Sequence, residues 1–411
     1  MSVTEDRPVR RLLFLLPFAP RLDAVHGGSR TIAELLAALA ERHRVAVLYL
    51  RGPNEPMVDE DLRARCEIIE EIVRSPGGTW GERWLQRFQF ARSLLHGNPG
   101  WVTKWGVRSF GKRARSLVQT WQPDVIQIEY HVMGQYVAAL HDCVAPRVLV
   151  QHDPGAAAAR DRRQARRGLS RLLSFLEAHA WARYERAIMR EMQAIVVFTE
   201  RDRRAIATLT SQVPIHRIPI GTALPERPLD PLGHKPLSLC FVGSFIHPPN
   251  TDAAERLISA IFPLVRAELP ELVLYVIGDN PPARIRELAG PNVFVTGRVP
   301  TTSHYLNQAA LVAVPLRLGG GMRVKVLEAL AAGKAVVASR LAIEGLDLTN
   351  GEQVILAETD HQFGDAIAAL LRDPGRRVAL AQKARAWACA NLGWEQSVKA
   401  YEALYTSLIT G

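Results

Sequence analysis

With 411 residues, 48% of them hydrophobic, the chain is too long for one ordinary core and too apolar to be disordered, so two domains are expected. A formal charge of +10 favours an anionic partner, whether nucleotide, anionic lipid head group or nucleic acid. Four widely separated cysteines, Cys66, Cys143, Cys240 and Cys389, have no ligand spacing, which argues against a zinc site and for reduced thiols in a cytosolic protein.

In chain order, Arg7-Pro8-Val9-Arg10-Arg11 before Leu12-Leu13-Phe14-Leu15-Leu16 superficially resembles a signal peptide. The apolar run is short, Pro17 interrupts it and no small-residue cleavage pattern follows, so it reads as a first buried strand. No apolar run reaches the roughly 18 residues needed to span a bilayer, and a soluble or peripheral protein is expected. A loop ending His26-Gly27-Gly28-Ser29 leads to a helix over 31–42 and a strand over 45–50, a βαβ unit with a glycine pair where open α/β sheets bind ligands; the pair lacks the full dinucleotide spacing, and a tight turn explains it equally well. Residues 52–111 have no clear pattern. The aromatics Trp80, Trp84, Phe88, Phe90, Trp101 and Trp105 either line an acceptor site or pack a helical insertion, and packing is favoured. Strands over 124–128 and 147–150 deliver Glu129, Tyr130 and His131, then Gln151, His152 and Asp153, at their carboxyl ends. Arg160, Arg162, Arg163, Arg166, Arg167 and Arg171, followed by Leu172, Leu173, Phe175 and Leu176, suit either a membrane surface or a solvated helix face. These arginines have no interleaved stacking aromatics, so nucleic acid is not the expected partner.

A long helix ends near Met192, a strand spans 194–198, Thr199 caps the next helix, and a short strand ends at Gly221. Residues 222–236 hold four prolines and one glycine and read as an interdomain linker. The second half restarts with strands over 237–242, 272–277, 293–296 and 310–315 and helices over 252–269 and around Tyr305. This alternation predicts a second doubly wound domain. Helices over 363–371, 377–391 and 394–408 close the chain.

Between the strand at 310–315 and the next lies Gly319-Gly320-Gly321-Met322-Arg323-Val324-Lys325-Val326-Leu327-Glu328. The glycines allow peptide N–H groups to converge on an anion, and the helix start adds its dipole and free donors. Arg323 and Lys325 add full charge beside them. Val324, Leu327 and Ala331 fall on one stripe expected to face the core, with Glu328 just off it, placed to reach ligand hydroxyls. The structural alternative is a glycine turn before a core helix with a Lys325–Glu328 pair.

The ordered series Phe241-Val242-Gly243-Ser244, Tyr275-Val276-Ile277-Gly278, Val295-Thr296-Gly297, Val314-Pro315-Leu316, 319–339, Glu344-Gly345-Leu346 and Ile218-Pro219-Ile220-Gly221 resembles the retaining family-four glycosyltransferases of GT-B fold. It is most similar to the exopolysaccharide-type branch with a Gly-Gly-Gly-x-Arg-x-Lys loop. The resemblance implies an α/β chain of two doubly wound Rossmann-like domains facing across a cleft: an acceptor domain over 1–221, a linker over 222–236, a nucleotide-sugar domain over 237–391, and a last helix over 392–411 crossing back. It also implies candidate catalytic residues His152, Glu129, Arg323 and Lys325. The implied donor-binding residues are Gly27, Gly28, Gly243, Ser244, Gly278, Gly319, Gly320, Gly321, Met322 and Glu328. Glu328 matches the second acid of the family's E-x7-E motif, and the first falls on Gly320. The family's Arg and Lys after the first strand of the second domain fall near Ser244 and Pro249, and Arg323 and Lys325 stand in for them.

The activity this implies is transfer of a sugar from a UDP- or GDP-sugar substrate to a glycan or lipid-linked acceptor. Retention of configuration, no metal and no cofactor are expected, in the cytoplasm or peripherally at the inner face of the membrane. Two other readings share the phosphate loop: a nucleotide-sugar epimerase of GT-B shape, and a non-catalytic partner subunit.

Overall fold

The computed structural model describes residues 8–24, 27–74, 99–152, 154–156, 159, 169–234, 236–319 and 323–410. Gly320, Gly321, Met322, His26, Asp153, Trp80, Trp84, Phe88, Phe90 and Arg160 through Arg167 lie outside them, as does the side chain of Arg171. The chain divides into two compact units, Met1–Pro219 with Ser397–Gly411, and Ile220–Gln396.

The first unit is built on a seven-stranded parallel sheet. Its strands are β1 (Arg11–Leu16), β2 (Arg44–Arg51), β3 (Ile68–Val73), β4 (Val125–Glu129), β5 (Arg147–Gln151), β6 (Ala194–Val197) and β7 (Ile215–Arg217), in the order β3-β2-β1-β4-β5-β6-β7. A strand covered on both faces needs apolar residues in succession rather than alternation, and Leu12 through Leu16 are all at most 2% exposed. The chain winds outward in both directions from β1 and β4, which leaves the switch point of the sheet between their carboxyl ends. The helix after β1 runs Gly27–Ala40, starting four residues earlier than its apolar pattern predicts, so the glycine pair forms its first turn. Strand β3 was not legible. It lies at the edge and carries Glu70 and Glu71 among its apolar residues; Glu71 pairs with Arg51 and Glu70 with Arg113.

The second unit repeats the scheme with β8 (Ser238–Val242), β9 (Val273–Ile277), β10 (Val293–Gly297), β11 (Leu311–Val314), β12 (Val336–Ala338) and β13 (Ile355–Leu356), all parallel, in the order β10-β9-β8-β11-β12-β13. Its switch point lies between β8 and β11. The helix predicted over 252–269 starts at Pro248 and widens into a π turn at Leu257–Ile261 before resuming as Phe262–Glu268. Pro263 has no N–H for the regular ladder and its ring crowds the preceding turn, which accounts for the wider turn.

The proline-rich stretch predicted as a linker lies along the second unit. Leu229 N donates to Ala332 O at 2.8 Å, His234 N to Gln308 O at 2.9 Å, and Thr222 N to Leu392 O at 2.8 Å. Two cations hold it further: the buried Lys334 ammonium donates to the Asp230 carbonyl, and Arg385 bridges the carbonyls of Ala331 and Pro225. The last helix, Trp394–Thr410, buries Val398, Tyr401, Leu404 and Tyr405. No helix among the described residues is long and apolar enough to cross a membrane.

Candidate active site

In the first unit, Glu129 is the last residue of β4, and its carboxylate is 1% exposed. An ionised carboxylate at that depth needs hydrogen-bond donors. Among the described residues it has two: Gln127 Nε2 at 2.5 Å on one oxygen and His152 Nε2 at 2.5 Å on the other. Gln127 accepts in turn from the Tyr405 hydroxyl. The imidazole of His152 stacks on Tyr130 at 4.0 Å and 9°, and meets the ring of Phe198 edge-on at 4.9 Å. Tyr130 sits at φ +65°, a conformation that costs a non-glycine residue about 1–3 kcal/mol. That turn carries its ring over His152 and into an edge contact with Phe18 from the loop after β1.

The segment after β5 is fixed from its other side. The carboxylate of Glu185, fully buried on the helix Leu169–Met189, accepts from the backbone N–H of Gly155 at 2.8 Å and of Ala156 at 3.1 Å. Gln151 donates to the same carboxylate at 3.4 Å and joins His131 at 3.1 Å. Burial holds His131 down at about 4, so it is neutral and its Nδ1–H donates to Gln151.

In the second unit the switch point gathers Gly243, Ser244, Gly278, Gly319, Arg323 and Lys325. The Lys325–Glu328 pairing of the structural alternative is not how Lys325 is held. Its ammonium donates to Asn250 Oδ1 and lies 4.9 Å over the ring of Phe241. Asn250 is itself oriented by donating to Ser244 O at 2.6 Å. A Cβ on Gly243 would stand 3.0 Å from the ammonium and 2.9 Å from Asn250, so this glycine makes room for the cation. The charge thus stands at the exit of β8, where the Arg and Lys of the resemblance would otherwise be. Desolvation, and then the neighbouring Arg323, bring Lys325 down to about 7. Arg323 donates from Nη2 to Gly319 O at 2.7 Å, across the ends of the glycine loop, and Gly319 takes φ +112°. Gly278 packs against the backbone of Gly243 so closely that a Cβ would fall 1.9 Å from the Gly243 carbonyl oxygen.

The helix after the loop is Val324–Ala331. Its buried positions are Val326, Leu327, Ala329, Leu330 and Ala331, so the core stripe includes Val326 and leaves out Val324. Val324, Lys325 and Glu328 are its half-buried positions. The helix therefore opens with two cations and no acid in its first turn, the unfavourable sign for a helix N-terminus. Ser244 Oγ and Asp279 Oδ1, after β8 and β9, are buried and have no hydrogen-bond partner among the described residues.

Each unit brings its predicted residues to the carboxyl edge of its own sheet: Gly27, Gly28, Glu129 and His152 in the first, and Gly243, Ser244, Gly278, Gly319, Arg323, Lys325 and Glu328 in the second. Gln127, Tyr405, Phe241 and Asn250 were missed. A lone glutamine inside the apolar run of β4 was a signal for the first; the other three gave none.

Two parallel sheets of this order, each with its polar groups at the switch point, make up the GT-B fold. In agreement, the structure is similar to sucrose-phosphate synthase from Thermosynechococcus elongatus, with a TM-score of 0.69 and 19% identity over 98% of this chain and 100% of that one. It is also similar to Anabaena HepE in complex with UDP and glucose, with a TM-score of 0.65 and 13% identity over 97% and 100%. Residues 25–224 match the family described as Glycosyltransferase Family 4, and residues 236–373 match Glycosyl transferases group 1. The chain belongs to these glycosyltransferases. An uncharacterized glycosyltransferase of Methanocaldococcus jannaschii is 26% identical over 184 residues, 42% of this chain and 46% of that relative, so the match spans about half the relative's length.

Proposed function

We propose that the protein transfers a sugar from a nucleotide-sugar donor to a glycan or lipid-linked acceptor, with retention of configuration and without metal. The observation that carries this reading is the helix Val324–Ala331, whose start holds Arg323 and a desolvated Lys325 and whose first turn contains no acidic residue. A diphosphate placed there relieves the repulsion and uses the free helix donors. The second unit then binds the donor through Gly243, Ser244, Gly278 and the loop 319–322, with Glu328 on the ribose hydroxyls. The first unit serves the acceptor, with Gly27 and Gly28 on the donor phosphate and with Glu129 and His152 on the transferred sugar.

In the reaction the bond from the sugar anomeric carbon to the diphosphate oxygen breaks, and a bond to the acceptor hydroxyl oxygen forms on the same face. The departing diphosphate oxygen takes the acceptor proton, so no protein base is required. Arg323, Lys325 and the helix N-terminus stabilise the charge that grows on the leaving group. UDP- and GDP-sugars are the substrates this reading favours, and UDP is the ligand of the Anabaena relative. The basic segment from Arg160 to Arg171 would bring the protein to the inner face of a membrane carrying a lipid-linked acceptor.

A thermal-shift screen with UDP, GDP, ADP and their sugars tests the donor site directly. Stabilisation by at least one nucleotide sugar, lost in Lys325→Met, is expected; equal stabilisation of parent and variant would overturn the assignment. Proton NMR of the product's anomeric centre tests retention.

A further inference from the structure

The hydrogen bonds behind His152 have a direction. The Tyr405 hydroxyl donates to Gln127 Oε1, which turns the Gln127 amide so that its Nε2 donates to Glu129 Oε1. Burial and the charge of Glu129 push the Tyr405 hydroxyl well above its ordinary range, which keeps it a donor. Glu129 Oε2 is then the oxygen that meets His152 Nε2 at 2.5 Å. A carboxylate only accepts, so the ring nitrogen facing it carries the proton. Tyr130 over the ring face and Phe198 at its edge fix the plane of the imidazole.

We propose that Gln127 and Tyr405 are positioning residues which, through Glu129, hold His152 in its Nε2–H tautomer, so that Nδ1 accepts a hydrogen bond from a substrate hydroxyl. The role of Nδ1 rests on the sugar-transfer reading above; the tautomer does not. Gln127 and Tyr405 touch no substrate. They act by holding the Glu129 carboxylate against His152 Nε2, and Tyr405 extends this support to the last helix of the chain. Tyr401, also buried beside Glu129, is likewise held protonated by desolvation and by that charge.

The polarity of the relay gives it a sharp signature. In Glu129→Gln the new carboxamide must offer its oxygen to Gln127 Nε2. Its NH2 then faces His152 Nε2 and forces the ring into the Nδ1–H form. Long-range proton–nitrogen correlation on histidine-labelled protein reads the tautomer directly, with His152 identified by its absence in His152→Gln. At a pH where the ring is neutral, the parent is expected as Nε2–H and Glu129→Gln as Nδ1–H. Glu129→Gln with Gln127→Met is expected to regain Nε2–H, because the carboxamide is free to turn its oxygen towards the ring. Glu129→Gln with Tyr405→Phe is expected to populate both forms.

Nε2–H in Glu129→Gln, or Nδ1–H in the parent, overturns the relay, and the parent measurement stands whether or not a variant folds. A purely structural role for Gln127 would not switch the tautomer back in the double variant. Activity separates this inference from the reading it rests on. The expected tautomers with no fall in kcat for Glu129→Gln would leave the relay intact and remove His152 from sugar transfer. A fall of about 10- to 100-fold, the loss of one substrate hydrogen bond, with those tautomers supports both.

Discussion

Lys325 and Arg323 stand on one short loop-helix junction, yet they predict different measurements. Arg323→Ala is expected to lower kcat by about 10²–10³-fold, the usual cost of removing one preorganised group from a developing charge. If Glu328 holds the ribose as proposed, Glu328→Ala should raise the donor KM with kcat nearly unchanged, since such contacts are the same in the ground and transition states. Equal changes in both parameters for both variants would refute that division. Lys325, at about 7 in the folded protein against about 10.4 unfolded, binds fewer protons folded than unfolded between those values. Stability should therefore rise with pH from about 7 towards 10, and Lys325→Met should flatten that rise in denaturation midpoints measured at pH 6.5 and 9. Lys334, brought down to about 8 by burial, adds a rise of the same sign, which the Lys325 variant leaves in place. Gly278→Ala drives a Cβ into the Gly243 carbonyl and should cost about 2–3 kcal/mol or more of stability by denaturant titration. The sequence showed which cations the loop carries. It did not show that Lys325 is held by Asn250, because that pairing spans 75 positions and depends on how two loops meet.

Elements were legible where one local signal determined them. Continuous apolar runs marked β1, β4, β6, β8 and β9, and Thr199 announced its helix by capping it, its hydroxyl accepting from Asp202 N. Strand β3 escaped because an edge position tolerates the two glutamates that central burial would forbid. The helix at 248–268 was found without its π turn, since the cost of one proline is absorbed by the surrounding packing. Residue 256 ends the first part of that helix and shows how an element can position a loop it does not contain. The Arg256 guanidinium, 6% exposed, bonds Asp360 at 2.6 Å and the Pro315 carbonyl at 3.1 Å, and so ties the exit of β11 to the start of the helix Asp360–Arg372. A lysine lacks that planar fork. Arg256→Lys should lose about 2–4 kcal/mol and speed amide exchange at residues 316–319, while leaving the first unit's sheet as protected as before.

At the scale of the whole molecule, the first unit takes its last helix from the far end of the chain. Val398, Tyr401, Leu404 and Tyr405 are each at most 5% exposed. At about 1.5–3 kcal/mol per large apolar side chain, removing them matches the stability of an ordinary domain. Truncation after residue 396 should therefore abolish slow amide exchange in β1 and β4 while β8 and β11 keep theirs. This arrangement also sets an order of events during synthesis. Strands β1 to β7 leave the ribosome first, but residues 397–410 follow only after the entire second unit has been made. At the ~5–20 residues per second typical of translation, the first sheet waits roughly 10–35 s with one surface uncovered and with Gln127 lacking the hydroxyl of Tyr405. The unit that starts the chain is thus the last to be finished, and the support behind His152 is completed only when the second sheet has already had time to form.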